Sequence, residues 1–473
     1  MNLRRWYGVR RLYEVRFRER VLLGLVVIAA LYYVTWSVVQ WATLTPAALR
    51  FDFVNYFGGA QAAAHGTDIY ADFKRSWGTE SWVVAYIYPP FFALLLAPLT
   101  SFGLVAAARI WLLVVHVAFL VALGLILRMH PELSRGGRRL FLLASLTFMP
   151  VYLNLKFQQV ATVWLLLLAA TLWAVLRRRA GLAGIFIAAA ASLKVSPIFL
   201  IPLFARLGRW RIAVLAGVTL VALTVVSTLA APGSWQFFTV VLPRIGLGTA
   251  NWDNGSIDGL VSRIVELAPG LLGGATQAVA KVAIVAAAVI VIGVTLWFAR
   301  GRGVAPRGPR SGRRPTRVAR DVPHERLRRS RAMRAFETSV SESWTLRLGL
   351  AALVTALLIV SSVTWQHHLV TLLLPIATAL AWITVRKPGA RYGWGLAAAY
   401  VMCWVDRRAF PLPADLQVHS PGQAALVLAG TSVKLAGLLL LWLLLLRMLR
   451  HEQRMAARIP QRPAAGSLAQ PAA

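Results

Sequence analysis

Runs of roughly 20 consecutive apolar residues recur along this chain, each the length a helix needs to cross the hydrocarbon core of a bilayer. A chain built this way folds as an all-α, polytopic membrane protein. With 58% hydrophobic and only 14% charged residues, the 473-residue chain is too apolar for a water-solvated globule. The net charge of +34 would suit a nucleic-acid partner. Its distribution argues against that reading, because the Arg clusters flank the apolar runs as in cytoplasmic loops. The lipid bilayer is therefore an expected partner and nucleic acid is not. The single cysteine, Cys403, sits in an apolar run, so there is no disulfide framework and no Cys/His metal spacing.

The Arg positions order the spans. Arg4, Arg5, Arg10, Arg11, Arg16, Arg18 and Arg20 keep residues 1–20 in the cytoplasm. Residues 21–41 then run outward as a retained signal anchor, and 42–85 form a long external segment. The proline-rich run 88–102 reads as a re-entrant or interfacial element. Spans 104–127, 140–156 and 160–176 follow, separated by Arg128–Arg139 and Arg177–Arg179. Residues 181–204 begin and end at basic clusters, which fits two short helices meeting near Lys194 and Pro197 better than one crossing. Residues 212–229 run out, 232–269 form a second external loop, and 275–298 return.

The Arg-, Pro- and Gly-rich stretch 300–345 is expected to be a disordered cytoplasmic linker. Spans 346–364, 369–385, 393–405 and 424–446 complete about twelve membrane segments, with both termini inside. The expected organisation is a basic N-terminus (1–20), a membrane core in two parts (21–299 and 346–446) joined by the linker, and a basic tail (447–473).

This topology gathers polar outliers at the outer face: Asp52, Tyr56, Tyr70, Tyr88, Gln158, Gln159, Lys194, Asp253, Asn254, Arg263, His367 and His368. A transporter more often places such groups near the midplane. An outer-face cluster fits an enzyme that takes a lipid-borne substrate. Glycoside hydrolysis wants two carboxylates, whereas transfer from a phosphate-activated sugar wants one base and cations for the leaving phosphate. Asp52 fits the base, and Lys194, Arg263, His367 and His368 fit the phosphate side. Structural alternatives stand beside these roles. Asp52 is equally a helix cap, Tyr70 and Tyr88 are interfacial belt residues, and Lys194 snorkels. Adjacent histidines do not both ligate easily from one helix face, and no paired carboxylate is near, so no metal is expected.

Four segments, in order, resemble glycosyltransferase family 87, the polyprenol-phosphate-mannose-dependent mannosyltransferases with the GT-C fold. They are FDFVNYFGGAQAAAHGTDIY, YIYPPFFALLLAPL, GLAGIFIAAAASLKVSPIFLIPLFARLGRWR, and NGSIDGLVSRI with the later VTWQHHLV. The resemblance implies an inverting transfer of a hexose, mannose above all, from a polyprenyl-phosphate donor to a cell-envelope glycan or glycolipid. It places that transfer at the outer face of a bacterial plasma membrane, without a cofactor. It implies a catalytic role for Asp52, donor-phosphate roles for Lys194 and the histidine pair, and a position for Gln159. Tyr56, Tyr70, Tyr88 and Asn254 are the expected substrate-lining residues. The family's usual Gly-Gln motif here reads Gln158-Gln159, and Ala161 replaces its later polar residue. A pentosyl transferase of the same fold, and a lipid-linked sugar flippase, are the competing readings.

Overall fold

The computed structural model describes residues 3–49, 51–76, 85–267, 276–300, 343–406, 409–410 and 420–458. The linker expected at 300–345 falls almost wholly outside them, as does the end of the 447–473 tail. Among the described residues every regular element is helical. α1 (Leu3–Ala42) carries the basic N-terminus straight into the first apolar run, followed by α2 (Phe51–Ala64) and α3 (Ala71–Ser76). The proline-rich run forms α4 (Pro90–Leu96) and a 3-10 extension, Ala97–Phe102. Beyond it come α5 (Leu104–Met129), α6 (Arg135–Leu146), α7 (Met149–Lys156), α8 (Ala161–Leu176), α9 (Ala180–Leu193), α10 (Leu200–Arg206) and α11 (Trp210–Ala230). The second half holds α12 (Leu242–Ile245), α13 (Ile257–Leu267), α14 (Thr276–Phe298), α15 (Ser343–Val360), α16 (Leu373–Arg386), α17 (Ala390–Trp404) and α18 (Pro421–Arg458).

Seven helices have the length and composition to cross a bilayer: Phe17–Ala42, α5, α11, Gln277–Phe298, α15, Gln366–Arg386 and Pro421–Ala457. Of the other expected spans, those at 160–176 and 181–204 are shorter apolar helices, Ala161–Leu176, Ala180–Leu193 and Ser196–Arg206. Residues 140–156 are not one continuous helix. Pro150 stands at the start of α7 and cannot donate to a continuing helix, so the chain breaks at Thr147 and Phe148. The break expected near Lys194 is present: Lys194 is extended (φ −153°, ψ 127°), and a 3-10 turn, Ser196–Phe199, follows. The external loop 232–269 contains α13, one face of which is apolar.

Ion pairs tie one end of the bundle. Arg347 Nη1 donates to Glu132 at 2.9 Å, joining the start of α15 to the loop after α5. Glu452 on α18 is fully buried and accepts from Arg386 Nε and Nη2, both at 2.7 Å, and from Trp382 Nε1 at 2.8 Å. Arg139 donates to the Glu19 carbonyl of α1 at 2.9 Å. The Arg clusters after α5, α8 and α16 share this end. The opposite end holds the helix breaks.

α15 and the Gln366–Arg386 segment form the buried centre. α11 instead exposes Val214, Val218, Val221, Val225 and Leu229 along one stripe, which suits hydrocarbon. Its other face meets α9 closely. A methyl group at Gly184 would come within 2.9 Å of the Ala216 backbone nitrogen. Small residues at helix crossings are the usual means of close packing where no hydrophobic force separates helix from lipid. Gly184→Leu is expected to lower stability by about 2 kcal/mol through overpacking. Gly217→Leu, with nothing within 4 Å of its Cβ position, should change it little. Thermal unfolding in detergent checks the contrast.

Candidate active site

The helix breaks converge on a cavity of about 560 Å³. α2 supplies its first wall. Asp52, Asn55 and Tyr56 are spaced i, i+3, i+4 and share one helical face. Asp52 and Asn55 line the cavity, while Tyr56 lies behind them, fully buried. Asp52 is the second residue of α2, within the first turn rather than ahead of it, where the helix dipole favours a carboxylate.

Gln159 joins this wall to the next. Helix α7 ends with Gln158 in the left-handed region (φ 54°). The Gln158 N–H donates to Leu155 at 3.1 Å and the Gln159 N–H to Asn154 at 2.8 Å. This cap closes the helix and delivers Gln159 to the cavity. Tyr56 Oη donates to Gln159 Oε1 at 2.7 Å, and Tyr88 Oη lies 3.2 Å from the same oxygen. With Oε1 taken by phenols, the amide nitrogen faces Asp52 and bonds its carboxyl. Burial pushes the Asp52 carboxyl up to about 7, and the Gln159 bond opposes that rise. Tyr70 does not line the cavity. Its hydroxyl donates to the Tyr88 carbonyl at 2.7 Å and so holds the Tyr88 backbone in place.

The far wall carries basic side chains. Lys194 Nζ lies 2.8 Å from His368 Nε2 and 5.1 Å from the centre of the Trp164 ring. His367 and His368 stand edge to face, 4.5 Å apart, in the 3-10 turn Gln366–Leu372 that precedes α16. His367 Nε2 is buried without a hydrogen-bond partner. Lys156 and Arg244 also line the cavity, as do Asp253 and Asp406.

Arg263 and Asn254, expected at the phosphate and substrate sides, do not line the cavity. Arg263 Nη1 donates to the carbonyls of Asn251 (2.9 Å) and Asn254 (3.0 Å). Asn254 bonds the backbone of Thr249, Ser362 and Thr364. Together they clamp the 249–256 loop to the strip that leads into the histidine pair, and Asp253 on that loop accepts from Gln366 Nε2 at 2.8 Å. Sequence reasoning missed Asn55, Lys156, Arg244, Gln366 and Asp406. The i, i+3 spacing from Asp52 was a usable signal for Asn55, and Asp406 stands directly after an apolar run. The others carried none.

Residues 86–312 match the sequence profile described as glycosyltransferase family 87. The match covers just under half of the 473-residue chain, which is similar to that family over this part. The family is one of membrane glycosyltransferases, consistent with the all-helical bundle. The chain is also similar to the alpha-(1->3)-arabinofuranosyltransferase of Corynebacterium glutamicum, 30% identical over 218 residues. That alignment covers 45% of this chain and 50% of the relative, so the chain spans about half the length of the curated relative it matches. The family 87 match includes Tyr88, Gln159 and Lys194. Asp52 and the histidine pair lie outside it, so their place in the site rests on the cavity.

The raised Asp52 carboxyl has a stability consequence. Between the unfolded value near 3.9 and the folded value of about 7, the native state binds more protons than the unfolded one. Asp52 therefore favours the fold below about pH 4, and that contribution is lost as pH rises through about 7. Asp52→Asn, nearly isosteric and never charged, is expected to exceed the parent in stability above pH 7 by on the order of 4 kcal/mol and to match it at pH 4. Unfolding in detergent at the two pH values measures this.

Proposed function

We propose that this protein transfers a sugar from a polyprenyl-phosphate donor to a hydroxyl of a cell-envelope glycan or glycolipid, with inversion at the anomeric carbon. One observation carries the reading: a single cavity brings a half-buried carboxyl, Asp52, together with Lys194 and the histidine pair. A carboxyl near 7 is half ionised at neutral pH and is a far stronger base than an ordinary aspartate. The acceptor oxygen attacks the anomeric carbon as its proton passes to Asp52, and the bond from that carbon to the phosphate oxygen breaks. The polyprenyl phosphate leaves toward Lys194, His368 and His367, needing no proton of its own. Tyr56, Tyr88 and Gln159 hold Asp52 in register. Gathering the polar groups at one end of the bundle supports transfer over transport through the middle. The Arg-flanked spans support a plasma-membrane protein with both termini in the cytoplasm and the site at the outer face.

The transferred sugar is a hexose, with mannose the first expectation. A second reading, transfer of an arabinofuranosyl group from the same class of donor, is favoured by the name of the Corynebacterium glutamicum relative. Membranes incubated with labelled polyprenyl-phosphate-mannose and, separately, with the arabinofuranosyl donor distinguish the two by their products. Absence of product from both would sink the proposal.

Asp52→Asn should reduce transfer by roughly 1,000-fold while insertion persists. In the parent, the rate should rise with pH through about 7, as the Asp52 carboxylate forms. Gln159→Leu removes the bond that opposes the rise, so its rate profile should move to higher pH. Lys194→Ala should raise the donor KM at least about tenfold through loss of one charge-assisted bond. An unchanged KM would remove Lys194 from the phosphate side. Chelation is expected to leave the rate unchanged.

A further inference from the structure

The contacts of His368 conflict with a charged Lys194. The Trp365 N–H can only donate, and it faces His368 Nδ1 at 3.2 Å. Nδ1 must then hold a lone pair, which puts the proton of a neutral imidazole on Nε2. That N–H faces Lys194 Nζ at 2.8 Å. An ammonium has no acceptor to offer it. Moving the ring proton to Nδ1 only transfers the conflict to the Trp365 N–H, and protonating both nitrogens creates two such conflicts. A neutral amine satisfies every contact: its lone pair accepts from Nε2–H while Nδ1 accepts from Trp365.

The surroundings agree. Among the described residues Lys194 forms no ion pair with a carboxylate. The Trp164 face at 5.1 Å favours a cation by only about 1–2 kcal/mol, against a desolvation cost of several kcal/mol. The other titratable groups facing this cavity are Asp52 and Tyr88 on one side, His367 beside His368, and Lys156, Arg244, Asp253 and Asp406 around the rim.

We infer that Lys194 is an uncharged amine in the ligand-free protein and takes up one proton from solvent when a phosphate group enters the cavity. The inference rests on the donor-phosphate reading above. The amine becomes an ammonium paired with the phosphate, and His368 Nε2–H turns from the amine to a phosphate oxygen. No covalent bond is made or broken. The coupling matches charge to chemistry. The donor is a phosphodiester with one negative charge, and the departing monoester carries up to two. A lysine that gains its proton with the phosphate favours that second charge without holding an unpaired ammonium in the empty site.

The test is calorimetric titration of the detergent-solubilised full chain with farnesyl monophosphate. At pH 8 the probe is fully dianionic, its second ionisation lying at about 6. Two buffers of different ionisation enthalpy give the number of protons exchanged. The parent should take up about one proton per phosphate bound. Lys194→Arg, permanently charged, and Lys194→Gln should both bind without uptake. Asp52→Asn should keep the uptake. Binding by the parent without uptake, or uptake that persists in either Lys194 variant, overturns the coupling alone. Absence of binding in the parent overturns the donor-phosphate reading along with it.

Discussion

A backbone polar group left unpaired in hydrocarbon costs several kcal/mol, and the architecture depends on that constraint. Helices can break only where protein or a polar cavity receives the freed groups. Three breaks, at Gln158–Val160, Lys194–Ser196 and Ser361–Trp365, adjoin the cavity and deliver Gln159, Lys194 and the histidine pair to it. The break at Thr147–Phe148 is set apart from them by the two turns of α7. The polar end of the molecule is thus the region where irregular backbone is affordable. The other end is held by buried ion pairs such as Arg386–Glu452.

Much of this was legible in the sequence because charge in an apolar run is rare. The conflict of basic clusters at both ends of 181–204 pointed to the break at Lys194, and the break is present. Asp52, Lys194, His367 and His368 stood out for the same reason, and one cavity receives all four. What was hidden depends on contacts between distant residues. Arg263 looked like a phosphate ligand by charge alone, but it lies off the cavity and its Nη1 donates to the carbonyls of Asn251 and Asn254. Lys156, Arg244 and Asp406 resemble ordinary span-flanking residues until the fold brings them to one rim. The split between α6 and α7 turns on a single proline inside an otherwise continuous apolar run.

Asp52 and Lys194 illustrate one principle from opposite signs. Each is a charged residue type in surroundings that oppose charge, and neither has an ion-pair partner of its own among the described residues. Such groups are costly to the fold and useful to chemistry, since each changes protonation state when a substrate alters its surroundings.

The cap at Gln158 has a wider meaning. Its left-handed torsion is what glycine adopts most easily. This chain keeps the turn with a bulkier side chain, and the Trp111 indole secures the Gln158 carbonyl at 2.7 Å. The turn that delivers Gln159 to the cavity is thus held by the backbone bonds and the indole around it rather than by the side chain that occupies it.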